Sequence, residues 1–429
     1  MNIYIGVLLF AVLLFTGVPM LYVTMGWGIV WLLATGKQFL LLEVANRVFT
    51  GLDSFTLLAI PIFVLAGELM DQGGIAKSIF KVAEVLVGRV KGGLAHANVI
   101  ASTLFGGISG ASLADIAAMG SLEINTMTEA GYDRPFSASV TAASSLQAPL
   151  VPPSMPAVTI GGIVGVSIGA LFMGGLIPGL LIGLFCSLVI IWRTNQRKYP
   201  YRKERFSKGE VFEAFKHGIP ALIAPGIIVG GSVFGVFSPT EAAAVAAVYS
   251  FIVGVISKNI SVSSIPRIVS KAAVSAAQIY VLLAGSAVLE WVLSYEGFPT
   301  AMTNFVIGIT GGSKFLFFLY TNILFLIWGM WLPIISAQLL LCPILFPIAK
   351  MVGIHPIHFG IVCILNLMMG MITPPVGSGL FAVLAISKVS FTDLVRELIP
   401  FLIVDVVLLI IVTVVPEIVL FLPRLLGFI

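Results

Sequence analysis

The sequence predicts an all-α integral membrane protein built of two inverted repeats, each holding a re-entrant hairpin and a broken helix. Three observations carry that prediction. Of 429 residues, 59% are hydrophobic and 10% charged, where a soluble domain has roughly 25% charged. The basic residues are arranged so as to mark one side of a membrane. Proline- and glycine-rich interruptions recur at a single offset along the chain.

A spanning helix needs about 20 apolar residues. Apolar segments lie near 2–17, 19–35, 50–71, 94–119, 135–165, 167–192, 218–235, 239–257, 272–294, 315–349, 357–387 and 393–422. The first lacks a basic leader and runs through Pro19 and Met20 into the second, so it reads as a retained span rather than a signal peptide. The linker 193–217 is rich in Arg and Lys and is expected in the cytoplasm. Working outward, Lys77, Lys81, Arg89, Lys91, Arg134, Lys258, Arg267, Lys271, Lys388 and Arg396 fall on that same side. Lys37, Arg47, Lys314, Lys350 and Arg424 remain outside. The partition holds only if 94–119 enters and leaves from the cytoplasm and 315–349 from the outside. Both termini then face outward.

The repeat is read from matched residues. Pro152-Pro153 and Pro374-Pro375 are 222 apart (374 − 152), as are Leu176-Ile177-Pro178 and Leu398-Ile399-Pro400, Gly131 and Gly353, and Gly107 and Gly329. Five full crossings precede the linker, an odd number, so the second copy is inverted. The expected organisation is a first repeat 1–192 (scaffold 1–92, hairpin and broken helix 93–192), the linker, and a second repeat 218–429 (scaffold 218–312, hairpin and broken helix 313–429). Segment 75–91 has apolar residues at helical spacing with basic ones between, and reads as an amphipathic brace at the cytoplasmic surface.

Each repeat has two interruptions. The first copy has FGGISGASLAD (105–115) and APLVPPS (148–154); the second has WGMWLPIISAQ (328–338) and MITPPVGSG (371–379). Unbonded backbone groups cost several kcal/mol each in hydrocarbon, so such breaks persist only inside protein or against a wet cavity. Proline removes an N–H and frees a carbonyl. Those carbonyls, with the hydroxyls of Ser109, Ser112, Ser154, Thr373 and Ser378, offer an oxygen shell suited to a small hard cation such as Na⁺. Helix N-termini at the same depth suit a substrate carboxylate. Asp115 has two readings: a functional acid at membrane depth, or a charge at the start of the returning helix. Glu241, after Ser238-Pro239-Thr240, reads as a helix cap.

Other chemistry is poorly supported. Cys186, Cys342 and Cys363 lie in apolar runs and read as buried thiols. The histidines of HPIH (355–358) have no Cys, Asp or Glu near them in sequence, so no transition-metal site is expected. No Walker loop, G-x-S-x-G elbow or H-E-x-x-H pattern occurs. The chain reads as a carrier rather than an enzyme, with an ion gradient as its energy source. The net charge of +4 is no nucleic-acid signature.

GGISGASLAD, VPPSMPAVTIGG, FSPTEAAAVAAVYSF, ILFPIAKMVGIHPIHFGIV and MITPPVGSGLFAVLAISKVSFTDLVRELIPFL resemble the large membrane subunit of tripartite ATP-independent periplasmic (TRAP) transporters, over nearly the whole chain. The resemblance implies an elevator-type fold in a bacterial inner membrane and Na⁺-coupled uptake of an organic acid, such as sialic acid or a C4-dicarboxylate. It implies two partners encoded separately, a small four-helix membrane subunit and a periplasmic substrate-binding protein. It places one Na⁺ at Gly107, Ser109, Gly110, Ser112, Val151, Pro152 and Ser154, and another at Gly329, Leu332, Thr373, Pro374 and Gly377. Substrate would lie between the two tips, with Ser112, Asp115, Pro153, Ser154 and Ser378 as candidate contacts. The sequence departs from the family at the second tip, where Pro333 stands in place of an acidic residue. The alternative is a stand-alone Na⁺/dicarboxylate carrier of the same architecture.

Overall fold

The computed structural model describes the chain except residues 1–5, 7–9, 11, 14–17, 19–20, 55–56, 200, 202–203, 205 and 234–235. Much of the expected first span therefore lies outside the described residues. The rest is helical. In chain order the α-helices are α1 (Trp27–Ala34, entered through a π-helical turn, Tyr22–Gly26), α2 (Leu41–Leu52), α3 (Ala59–Gln72), α4 (Ile75–Val87), α5 (Gly93–Ser109), α6 (Ser112–Glu129), α7 (Arg134–Ser144), α8 (Met155–Val164) and α9 (Ile168–Arg197). The second half follows with α10 (Lys208–Val233), α11 (Pro239–Ile256), α12 (Ile265–Tyr295), α13 (Phe298–Thr310), α14 (Lys314–Trp331), α15 (Ile334–Met351), α16 (Pro356–Met371), α17 (Ser378–Ser387), α18 (Phe391–Val414) and α19 (Glu417–Leu425). Among the described residues, seven helices are long and apolar enough to cross a membrane, or up to eight if a bent pair counts as one.

The hairpins and breaks fall where the prolines and glycines placed them. Helices α5 and α6 turn about Gly110-Ala111, and α14 and α15 about Leu332-Pro333. The breaks separate α7 from α8 and α16 from α17. Each half-helix after a break packs on the returning hairpin limb of the other repeat: α8 on α15, and α17 on α6. Likewise α7 packs on α18 and α9 on α16. The halves are thus interlocked rather than side by side. Helices α3, α11 and α12 form a second packed group, joined by α2 along α12 and by α10 along α11.

Several expectations need correction. The linker is shorter than 193–217, because α9 continues through Arg193 to Arg197 and α10 begins at Lys208. Arg is a good helix former, and its long side chain reaches the polar interface from the end of a buried helix. Lys198, at φ 52°, ends the helix in the left-handed region. The segment 50–71 is divided, with α2 ending at Leu52 and α3 starting at Ala59. The offset of 222 is not constant. It holds from Gly131 to Gly353, both at positive φ, but the next left-handed caps, Gly165 and Lys388, are 223 apart (388 − 165). The offset slips to 223 between the proline pairs and those caps and is 222 again at Pro178 and Pro400.

Helix α4 has a twin the sequence did not disclose. Its left-handed cap Gly74 is matched by Gly297 (297 − 74 = 223), which starts α13. Elsewhere the caps are as read. Ser238 and Glu241 form a reciprocal capping box, with Ser238 N donating to Glu241 Oε2 at 2.7 Å and Glu241 N to Ser238 Oγ at 3.3 Å. All three cysteines are buried, with the thiols of Cys342 and Cys363 3.8 Å apart across α15 and α16. His355 caps α16, accepting from Ile357 N, and His358 Nε2 donates to Val412 O.

Candidate functional site

The first tip and the first break meet in backbone contact. Met155 N, at the start of α8, donates to Gly110 O at 3.2 Å. Gly110 sits at φ 60°, and a Cβ there would run into the carbonyl oxygen of Pro153. Only glycine satisfies both the turn and the approach. Gly107 faces the Pro152 carbonyl, and a Cβ on it would lie 3.3 Å from that oxygen and 3.3 Å from Pro225 Cβ on α10. The structure therefore brings Gly107, Gly110, Pro152 and Pro153 together.

The oxygens there are open. The carbonyls of Val151 and Pro152 accept no backbone hydrogen bond among the described residues. The hydroxyls of Ser109 and Ser112 are buried without a partner. The Ser154 hydroxyl donates to Pro149 O and accepts from Ala157 N at 3.1 Å, capping α8, which leaves one of its lone pairs open. The Pro152-Pro153 and Pro374-Pro375 bonds are both cis.

The second site is built differently. Gly329 and Gly370 pack backbone to backbone, a Cβ on Gly370 meeting Gly329 C at 2.7 Å, and Thr373 N donates to Gly370 O at 3.0 Å. Thr373 Oγ1 donates to Met369 O at 2.6 Å, leaving its lone pairs available. Gly377, at φ 33°, lies over the carbonyls of Met371 and Thr373. Carbonyls Thr373 and Pro374 accept no backbone bond among the described residues, and the Ser378 hydroxyl is buried and unpartnered. Leu332 is different: it stands where Gly110 stands in the first copy (110 + 222), yet is extended at φ −112°, ψ 146°. Pro333 is the cause, since a residue before proline is driven out of the helical region. The two tips thus turn by different chemistry. No hydrogen bond links Leu332 to the second break among the described residues.

Asp115 occupies the first turn of α6 and is 1% exposed, with neither carboxyl oxygen in a completed hydrogen bond. It faces the Ser102 hydroxyl on α5, inside the hairpin. Sequence reasoning missed the polar interior around it. Asn98, Ser102, Glu123, Thr141, Ser144 and Gln147 are all buried, and Gln147 ties the foot of the break to α5, accepting from Thr103 Oγ1 at 2.5 Å and donating to Val99 O at 3.1 Å. The signal was the helical spacing of Asn98 with Ser102 and of Thr141 with Ser144 and Ser145. No Lys or Arg lies in 92–133, 135–192, 315–349 or 351–387. A carboxylate between the tips would be met by helix N-termini and hydroxyls.

Cavities open elsewhere as well. One of about 610 Å³ lies among α4, α6 and α10, lined by Lys77, Lys81, Glu84, Thr126, Glu213 and His217. Another, about 410 Å³, is lined by Lys314, Phe318, His355, His358 and Arg424. Neither includes a break.

A family model, "Tripartite ATP-independent periplasmic transporter, DctM component", matches residues 7–418. The chain is similar to the sialic acid TRAP transporter large permease protein SiaM of Vibrio cholerae, 37% identical over 96% of each chain. It is similar to the C4-dicarboxylate TRAP transporter large permease protein DctM of Rhodobacter capsulatus, 35% identical over 97% of each. It is also 34% identical to the 2,3-diketo-L-gulonate TRAP transporter large permease protein YiaN of Escherichia coli, over 95% of this chain and 98% of that one. Among solved structures, the YdaH transporter of Alcanivorax borkumensis has the same fold, with a TM-score of 0.64 and 16% identity, covering 92% of this chain and 89% of that one.

Proposed function

Because the chain belongs to the DctM family, the large membrane subunits of tripartite ATP-independent periplasmic transporters, we propose that it performs Na⁺-coupled secondary uptake of an organic acid across a bacterial inner membrane. One observation carries the reading: two broken helices, each laid against a hairpin tip, present unbonded carbonyls beside unpartnered buried hydroxyls. Such groups are stable at membrane depth only if something satisfies them. A hard cation does so at each break, and it adds the positive charge that the membrane-depth core lacks. The substrate carboxylate then binds between the tips, held by those cations and by the starts of α6, α8, α15 and α17.

The interlocked helices α5–α9 and α14–α19 act as the moving body. Helices α2, α3 and α10–α12 act as the scaffold, and α4 and α13 brace the two from opposite sides. The relatives named for sialic acid and C4-dicarboxylates support a carboxylate substrate delivered by a binding protein, with a small membrane subunit as the second partner. The test is reconstitution in lipid vesicles with both partner chains under a controlled Na⁺ gradient, offering a panel of organic acids. Uptake that needs Na⁺ and the binding protein is expected. Uptake with Na⁺ but without the binding protein would make the chain a stand-alone carrier. Uptake indifferent to Na⁺ would overturn the coupling.

A further inference from the structure

The cavity of about 410 Å³ has a twin in the first repeat, and the twin is filled. Ile354, His355 and His358 of its wall correspond to Tyr132, Asp133 and Phe136 (132, 133 and 136 + 222), and Lys314 corresponds to Gly92 (92 + 222). In the first repeat the chain's own Tyr199 covers those positions. Its ring stacks on Tyr132 and Phe136, with centroids 4.7 and 5.2 Å away, and its hydroxyl donates to Asp133 at 2.6 Å. Gly92 lets α9 come close, since a Cβ on it would lie 2.6 Å from Thr194 Oγ1.

The second repeat lacks that cover. Helix α9 runs unbroken to Arg197, whereas its counterpart is cut where α18 ends at Val414 and α19 begins at Glu417. Between them Val415 stands at φ −110°, ψ 87°, driven from the helical region by Pro416 after it. Phe421, which corresponds to Tyr199 (199 + 222), is 54% exposed and forms no part of the cavity wall.

The charge has changed along with the cover. His355 replaces Asp133 and Lys314 replaces Gly92, and no acid lines the cavity among the described residues. Lys314 Nζ lies against Gly353, 3.3 Å from where a Cβ would stand, and forms no ion pair or hydrogen bond among the described residues. Arg424 gives Nη1 to both carboxyl oxygens of the neighbouring Glu417 at 2.7 Å, and its Nε and Nη2 are unbonded among the described residues. His355 Nδ1 accepts from Ile357 N, so the hydrogen of that ring is on Nε2, a donor. Helices α14 and α16 both begin here, and a helix start favours an anion.

The cavity also sits at a membrane surface. Helix α19 packs on the start of α9, where a Cβ on Gly174 would lie 3.2 Å from Val419 Cγ1, and Arg197 is at the other end of that 30-residue helix. Such a helix is about 45 Å long and outspans a hydrocarbon core of about 30 Å. Phe315, Val414, Phe421 and Leu425 around the cavity are each more than half exposed. A small free anion has no use for that apolar rim, whereas acyl chains do.

We propose that the cavity binds the phosphate headgroup of an anionic phospholipid, held by Lys314, Arg424 and His355 Nε2, with the acyl chains lying on the apolar rim. Basic pockets between membrane helices suit such headgroups. Where the first repeat closes its pocket with a ring and a hydroxyl of its own, the second takes that apolar-and-polar cover from the bilayer.

Thermal melts of the purified protein in detergent test this, with phosphatidylglycerol, phosphatidylcholine or inorganic phosphate added. Phosphatidylglycerol should raise the melting temperature, and the other two should do so far less. Lys314→Gln combined with Arg424→Gln changes two exposed side chains, so the variant should fold. It should need about tenfold or more phosphatidylglycerol for half of the rise, having lost two contacts to a charge. Lys350→Gln, an exposed cation outside the wall, should respond as the wild type does. An equal response of the double variant overturns the site, as does a wild type that ignores phosphatidylglycerol. An equal rise with inorganic phosphate overturns the lipid. A double variant that keeps the lipid response but loses uptake dependent on the binding protein would make the cavity a protein contact instead.

Discussion

At the scale of single residues, the account rests on oxygens that have nothing else to do. Ser109 has a buried, unpartnered hydroxyl at the first tip, and Thr373 keeps free lone pairs at the second break. Losing one ligand of a bound cation removes an interaction with a charge, worth about 1.5–3 kcal/mol. Ser109→Ala or Thr373→Ala should therefore raise the Na⁺ concentration for half-maximal uptake by about tenfold or more, with thermal stability nearly unchanged. A Na⁺ titration of uptake checks both, and unaltered curves would remove these residues from the sites. Gly110 is the opposite case, a residue needed for what it lacks. At φ 60° and against the Pro153 carbonyl, Gly110→Ala meets a backbone cost of about 1–2 kcal/mol and a clash besides. Uptake should fall steeply for this variant while Gly165→Ala, at a left-handed cap with open space around it, costs stability but keeps the site.

At the scale of elements, one ion-pair cluster welds the repeats at the far end of α9. Arg197 at the end of α9 reaches Asp133 at 2.9 Å and Glu397 of α18 at 2.6 Å, while Tyr199 OH donates to Asp133 at 2.6 Å. Tyr132 and Phe136 stack on Tyr199, with ring centroids 4.7 and 5.2 Å away. Arg197→Ala leaves the largely buried Glu397, among the described residues, with only Arg193, 3.6 Å away, and should cost about 1–3 kcal/mol, read as a lower melting temperature. Burial pushes the Tyr132 phenol up to about 12, against a backbone hydrogen bond that pulls the other way. Its ordinary value is about 10, so the stability it contributes is complete below pH 10 and is lost as pH rises toward 12. Thermal melts across that window should show the loss, and Tyr132→Phe should reduce it, the remainder coming from the neighbouring Tyr199, which burial raises likewise.

The same scale shows what the sequence could and could not disclose. Hairpins and breaks were legible because Gly and Pro carry their backbone consequences with them. Helix α4 was legible because Lys77 and Lys81 punctuate its apolar face, whereas its twin α13, FPTAMTNFVIGIT, has no charge to mark it and lay in the gap between the apolar segments 272–294 and 315–349. The one-residue slip at the caps Gly165 and Lys388 was hidden because residue matches on either side of it align at 222. The polar cluster of Asn98, Ser102, Thr141 and Ser144 was legible only as helical spacing, since its bonds depend on which side chains of two different helices touch.

At the scale of the whole molecule, the interlocked body packs on the α3–α11–α12 group through α8 on α3, a surface along which the proposed motion would slide. Gly162 on α8 packs on Leu57, a Cβ there lying 2.5 Å from Leu57 Cδ2, and Tyr280 OH of α12 holds the Leu57 carbonyl at 3.0 Å. A Leu57→Cys, Gly162→Cys double variant should cross-link across this contact, stopping uptake until reductant is added. Cross-linking without loss of uptake would mean that α8 does not move against the scaffold.

The most direct measurement of the central claim is solute accumulation in vesicles containing this chain and its two partner chains, with Na⁺ set high outside or equal on both sides. The expected result is accumulation of a carboxylate above its outside concentration only with the inward Na⁺ gradient. Equal accumulation with and without that gradient would contradict the account.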